Sequence, residues 1–374
     1  MRISKLAISL GLSLFFLYLT FFIPQFGGLF RGELGLGAAL IGHPRFELAH
    51  FEDVLAAIHW WPIFFTGLVF FASLALRAWR WQILLRPLVE MKYGHVFGAM
   101  NIGYMANNVL PFRMGEVYRA QVIYQLSGLS RTAAFGSIVL ERVVDLIFMV
   151  PYIGLALVLY PLPGAMQKAA YLVGFGSFVI TVVFLWTAFD RPRVLRIIGS
   201  VLKLLPQKAE RTANEIVERF TAGIAVLGRK ELMLPVSLSS LVMWAMYAVM
   251  VYLVMLSLGL IGTDIPLIDA NPIGAALVTM IITTLGFIIP GAPGSVGTYH
   301  GVAVMGLSLF NVPGDRAAGF AFLLHGLNYV PLTVLGLAYF WKYGLTFRGA
   351  QQLPEKVGGV DEAEQAMAEA AQTK

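Results

Sequence analysis

NNVLPFRMGEVYR, residues 107–119, is a run of polar, charged and helix-breaking residues set inside an otherwise apolar stretch, 95–127. Pro111 and Gly115 interrupt a helix there. Arg113, Glu116 and Arg119 follow at spacings of three, which places them on one helical face. An ionisable side chain at membrane depth costs roughly 2.5–3.5 kcal/mol even on lenient insertion scales, so such residues face a polar cavity or one another.

Composition makes the surroundings a membrane. The 374 residues are 58% hydrophobic and 13% charged, with a mean hydropathy of +0.75. A water-soluble core of this size could not hide that much apolar side chain, so the bilayer is the solvent. The chain has no cysteine, which excludes disulfides and thiolate metal sites. His43, His50, His59, His95, His300 and His325 show no ligand spacing, and no metal centre is expected. The net charge of +6 comes from basic residues lying beside apolar spans. Anionic lipid headgroups, not nucleic acid, are therefore the expected partners.

Stretches long enough to span, about 20 residues each, occur near 5–23, 62–85, 132–160, 169–189, 232–261 and 317–342. The segment Met1 to Pro24 carries Arg2 and Lys5 before an apolar run that is long for a signal peptide and lacks a small-residue cleavage site. It reads as an uncleaved first helix. The loop 190–231 holds Arg191, Arg193, Arg196, Lys203, Lys208, Arg211, Arg219, Arg229 and Lys230, which places it in the cytoplasm. Arg77, Arg80, Arg86 and Lys92 mark the inner end of the second span, and 262–271, with Asp264 and Asp269 and no basic residue, lies outside.

With both termini cytoplasmic, the interrupted stretches 95–127 and 272–312 must each enter and leave on one side. They read as re-entrant helical hairpins, the first dipping from the cytoplasm and the second from outside. Opposed hairpins flanked by spans are the outline of an inverted-topology repeat. The expected fold is an all-α polytopic integral membrane domain over 1–345, with about six full spans and two oppositely oriented hairpins. Within 190–231, Ile216, Val217, Phe220 and Ile224 recur at helical spacing, as in a connector on the cytoplasmic membrane surface that either recruits lipid or simply joins two spans. Residues 346–374 form a polar tail with no apolar face, expected to be disordered. The Gly-rich 154–176 permits the close helix contacts of a homodimer.

Three constellations carry chemistry. In the first, Arg113 can pair with Glu116, which leaves Arg119 as a surplus cation whose planar fork suits a lipid phosphate, with Asn107 and Asn108 alongside. The bland alternative is that these arginines snorkel to a nearby interface. The second is Glu141, Arg142 and Asp145 in the span 132–160, with the two carboxylates one turn apart. These neutralise the surplus arginine, carry a proton in a coupled cycle, or glue two helices as a structural network.

The third is IPGAPGSVGTYHG, residues 289–301, where Pro290, Gly291, Pro293, Gly294 and Gly297 cannot continue a helix. Ser295 or Thr298 would cap the helix that restarts, aiming its positive end at an anion. The alternative is an ordinary loop between two short spans. Tyr299 and His300, with His325, Asn328 and Tyr329 of the last span, offer hydrogen-bond donors at depth, or else plain helix–helix contacts. No nucleophile elbow, Walker loop or dinucleotide fingerprint appears, so neither a catalytic residue nor a cofactor is expected.

NNVLPFRMGEVYRA (107–120), ERVVD (141–145) and PGAPGSVGTYHG (290–301), in that order, resemble the lysylphosphatidylglycerol synthase transmembrane, or flippase-like, family over roughly 1–345. The resemblance implies a membrane domain that moves or handles lipids with phosphate headgroups and has two hairpins meeting inside it. It points to Arg113, Glu116, Arg119, Glu141, Arg142, Asp145, Pro290, Gly294, Gly297 and Tyr299 as lining the path. Two-part members carry a soluble aminoacyl-transferase domain after the membrane domain, whereas here a short polar tail follows. Synthase activity is therefore not expected of this chain, and a separate enzyme would make the lipid.

The leading expectation is a flippase-type transporter of an anionic phospholipid or of a polyprenyl or glycosylated lipid. The rivals are an integral-membrane lipid or glycan-lipid transferase with Glu141, Asp145 or His300 as base, and an accessory subunit of a lipid-modifying enzyme.

Overall fold

The computed structural model describes residues 56–110, 114–160, 192–200, 230–263, 265–289 and 292–345, short N-terminal pieces at 14–20, 22–23, 43–44 and 53–54, and isolated positions elsewhere. Arg113, Pro290, part of the span expected at 5–23, most of that expected at 169–189, the connector beyond 210 and the tail 346–374 lie outside the described residues.

The described chain is helical apart from a two-residue antiparallel pair, Phe22–Ile23 with His43–Pro44. Its main helices are α1 (Trp60–Leu85), α2 (Tyr93–Val109), α3 (Gly115–Ser127), α4 (Arg131–Leu159), α5 (Lys230–Ser257), α6 (Pro272–Ile288), α7 (Thr298–Ser308) and α8 (Gly314–Lys342). α1, α4, α5 and α8 are long and apolar enough to cross a bilayer. They correspond to four of the six expected spans. α4 and α8, at 29 residues each, reach about 43 Å at 1.5 Å per residue, against a hydrocarbon core of about 30 Å. α3 has 13 residues and α7 has 11, about 20 and 17 Å, which is too short to cross alone.

Local signals set the boundaries. Ser130 caps α4, its side chain accepting from the Ala133 N–H at 3.2 Å. Gly128 ends α3 in the left-handed region at φ 75°, where a Cβ is penalised. The break between α6 and α7 needs positive φ at Gly294 (67°), Ser295 (57°) and Gly297 (87°). α1 turns Trp60, Trp61, Phe64, Phe65 and Leu68 outward, an aromatic and aliphatic face that suits lipid.

The packing repeats. α1 and α5 lie against each other, and α2–α3 and α6–α7 are paired hairpins. α3 packs on α4 as α7 packs on α8, and α1 on α2 as α5 on α6. α2 packs on α8 as α6 packs on α4, so each half's final helix completes the other half's core. Matching polar ties close both exchanges: Asn271 Nδ2 to Leu159 O at 2.7 Å, and Tyr343 Oη to Gly94 O at 3.2 Å.

The hairpin interiors match too. A Cβ on Gly103 would meet Gly115 O and Arg119 Cβ at 3.0 and 3.2 Å; on Gly286 it would meet Thr298 O and Val302 Cβ at 3.6 and 3.3 Å, at the same sequence spacing. The two halves thus share one architecture although their side chains have diverged.

Candidate functional site

A cluster of arginines sits where α1, α3, α4 and α5 meet. α1 presents Arg77 and Arg80 one turn apart, and α4 answers with Glu141 and Asp145, also one turn apart. Arg77 reaches Glu141 at 2.9 Å and Asp145 at 2.5 Å. Arg80 reaches Asp145 at 2.5 Å and the Ser240 hydroxyl at 2.8 Å. Arg119 of α3 donates to the other Glu141 oxygen at 2.5 Å while its guanidinium lies 3.4 Å from the Trp81 ring. Tyr247 of α5 accepts from Arg77 at 3.1 Å, and the Trp244 indole donates to the Asp145 carbonyl at 3.1 Å.

Arg80 and Glu141 are fully buried and Arg119 nearly so. Arg142 is different: its side chain is 40% exposed and makes only a 3.6 Å contact with Asp145. Four guanidinium groups thus face two carboxylates, leaving two positive charges unbalanced among these six residues. Arg80 Nε, Arg119 Nε and the Tyr104 hydroxyl are buried without a partner, three donors to which an anion could bind. Glu116 does not relieve the surplus, because its carboxylate turns to Asn107 Nδ2 of α2 at 3.4 Å.

A second group of polar residues joins the hairpin tips to α8. Asn108, at the end of α2, donates to Tyr329 O at 3.2 Å and to Thr333 Oγ1 at 2.9 Å, and its own carbonyl accepts from the Tyr329 hydroxyl at 3.2 Å. Gly294, in the other tip, packs so closely on the Tyr329 ring that no Cβ would fit, with Asn108 O 3.5 Å from that position. His325 Nε2 lies 2.9 Å from Gly294 O, and its Nδ1 lies 3.2 Å from His300 Nε2. Removing the Asn108 amide takes a donor from the half-buried Thr333 hydroxyl and one of two side-chain donors from Tyr329 O, which keeps the Thr333 hydroxyl at 2.7 Å. Asn108→Ala is therefore expected to cost about 0.5–1.5 kcal/mol, read as a lower unfolding midpoint in detergent.

The start of α7 corrects the expected capping. Gly297 is the N-cap and offers no side chain, while the Thr298 hydroxyl donates to Ser295 O at 3.1 Å instead of capping. His300, one turn in, accepts from the Gly297 N–H at 3.3 Å.

The residues named from sequence therefore fall into three places. Arg119, Glu141, Arg142 and Asp145 gather in the charged cluster; Asn108, Gly294, Gly297, Tyr299 and His300 gather at the tips; Asn107 and Glu116 bridge within the first hairpin. Sequence reasoning took Arg77 and Arg80 for markers of the cytoplasmic end of a span, whereas both point inward to the carboxylates. Their i, i+3 spacing, one helical turn like the i, i+4 spacing of Glu141 and Asp145, was the available signal. Trp81, Ser240 and Tyr247 carried none.

A family model described as the lysylphosphatidylglycerol synthase TM region matches residues 8–336. The glycosyltransferase AglD of Haloferax volcanii is 25% identical over 264 residues, covering 63% of this chain and 41% of that protein. The chain thus spans less than half of that relative's length. A UPF0104 membrane protein of Methanothermobacter thermautotrophicus is 26% identical over 292 residues, 75% of this chain and 83% of the relative. One from Methanocaldococcus jannaschii is 22% identical over 271 residues, 69% and 77%. No solved structure matches the chain.

Proposed function

Because the chain belongs to the lysylphosphatidylglycerol synthase TM region family, we propose that it is a flippase-type transporter that passes a phosphate-bearing lipid headgroup across the cell membrane. The observation that carries this reading is the buried surplus of guanidinium groups, with Arg80 Nε, Arg119 Nε and the Tyr104 hydroxyl unpartnered beside it. A phosphate supplies the missing negative charge and accepts from several donors at once. The half-exposed Arg142 is where the headgroup first meets the cluster.

In this reading α2–α3 and α6–α7 are re-entrant hairpins of opposite orientation, each too short to cross twice, and both termini lie on the cytoplasmic side. The lipid is an anionic phospholipid or a polyprenyl or glycosylated lipid, made by a separate enzyme. The transferase alternative needs a free base. Glu141 and Asp145 serve it poorly, because guanidinium groups hold both oxygens of each.

The test is reconstitution into vesicles containing headgroup-labelled phosphatidylglycerol. The expected result is faster exchange of label between leaflets, with the lipid chemically unchanged. Altered lipid would favour a transferase, and unchanged exchange would favour an accessory role. Arg142→Gln removes one cation from the exposed rim and is expected to slow exchange about tenfold while leaving folding intact, since a hydrogen bond to a charged group contributes about 1.5–3 kcal/mol.

A further inference from the structure

The contacts around the second hairpin form a closed ring. The Gly297 N–H points at His300 Nδ1, so that nitrogen is an acceptor and the His300 proton sits on Nε2. His300 Nε2–H then donates to His325 Nδ1, which places the His325 proton on Nε2, where it donates to Gly294 O. Gly294 and Gly297 belong to the same helix break, so the ring returns to its start.

This ring is complete in one protonation state only, with both imidazoles neutral. An added proton has two places to go. On His300 Nδ1 it faces the Gly297 N–H, donor against donor. On His325 Nδ1 it faces the His300 Nε2–H, again donor against donor. Shifting the chain of protons only moves the conflict from one link to the other, so a single proton taken up must open one of them.

The surroundings make such a proton consequential. Tyr299, with its ring 5.0 Å from His325, and Tyr329, at 5.6 Å, are the titratable neighbours. Phe287 of α6 and Phe322 of α8 flank the pair at 6.1 Å from His325 and 4.3 Å from His300. The N-terminal helical piece approaches α7 through Phe16 at Gly301. Among the described residues no carboxylate, lysine or arginine pairs with either ring. The carboxylates at depth, Glu141 and Asp145, are occupied as counter-ions to arginine.

We propose that His300 and His325 form a proton-binding site whose loading frees the Gly294–Gly297 tip of the second hairpin and so couples lipid movement to protons. The coupling rests on the transporter reading above; the proton site itself rests on the ring. Because Gly294 and Asn108 meet on Tyr329, a freed tip also loosens the contact between the two hairpins.

The full chain in nanodiscs is followed by amide hydrogen exchange of peptides covering 289–301, at about pH 8 and about pH 5, corrected for intrinsic chemistry. Exchange in the wild type is expected to rise about tenfold or more as pH falls, since an imidazole that opening releases to water charges in this range and the proton then holds the tip open. The double variant His300→Gln with His325→Gln, which keeps polar side chains but cannot take up a proton there, is expected to show no such rise. A flat wild type, or a double variant that still responds, overturns the proton site.

If the double variant does not fold, imidazole nitrogen-15 resonances of the wild type replace it. Both rings are expected as neutral Nε2–H tautomers at about pH 8, titrating together with the exchange change. Rings that stay neutral, or that titrate without freeing the tip, overturn the proposal. In vesicles, wild-type lipid exchange should change about tenfold under a pH gradient of one unit. If exchange ignores the gradient, the coupling is overturned; if no lipid moves although the tip responds, the transporter reading fails and the proton site stands.

Discussion

Replacing Glu141 by Gln is expected to cost about 3–5 kcal/mol of folding stability, the range for breaking a buried ion pair by removing one partner. Glu141 accepts from Arg77 at 2.9 Å and from Arg119 at 2.5 Å, with Arg80 a further 3.6 Å away, and it is fully buried. Without its charge, Asp145 alone would face four guanidinium groups. The measurement is thermal unfolding in detergent, followed by tryptophan fluorescence and by recovery of monodisperse protein. Adding Arg119→Met to Glu141→Gln removes one of the stranded cations and should restore part of the loss, a non-additivity expected for residues in one network. Equal losses in the single and double variants would show that Arg119 does not depend on Glu141.

Gly115→Leu is expected to prevent the first hairpin from closing. A Cβ at position 115 would fall onto the Gly103 carbonyl and lie 2.5 Å from Asn107 Cγ, while the Gly115 N–H donates to Asn107 Oδ1 at 2.7 Å. Backbone meets backbone there, so no flexible side chain can give way. Overpacking alone costs about 1–3 kcal/mol, and the branched side chain adds the loss of the Asn107 contact. The expected readout is protein that fails to leave a size-exclusion column as a single peak. Gly154→Leu is the matched control: Gly154 has nothing within 4 Å of its Cβ position and should tolerate the change.

Much of the architecture was legible because the bilayer imposes length. Four of the six apolar runs emerge as helices near the expected ends, and the punctuation at Pro111–Gly115 and Pro290–Gly297 marks where α3 and α7 restart. The repeat was legible only in outline, from the two interrupted stretches of opposite orientation. Its identity lies in spacing and packing, with Gly103 meeting Arg119 where Gly286 meets Val302, and such pairs share no side-chain chemistry. The site was read in part. Motif chemistry located Arg119 and Glu141 but treated Arg77 and Arg80 as boundary charges, because basic residues near a span end usually are. The ring through His325 was hidden for a simpler reason: its meaning depends on which imidazole nitrogen meets which partner, and only coordinates supply that.

The exchange of final helices between halves has a consequence for biosynthesis. Hairpin α2–α3 is made early, yet the helix that covers α2 is α8, the last to be made among the described helices. At about 5–20 residues per second, the ribosome takes on the order of ten seconds or more to travel from one to the other. Throughout that interval Asn101, Met105 and Asn108 stand without the neighbours Gly336, Tyr329 and Thr333 that will enclose them. The nascent chain therefore passes through a half-built stage whose most polar hairpin is open on one side. A truncation that ends before α8 should be cleared by quality control instead of persisting as a smaller membrane protein.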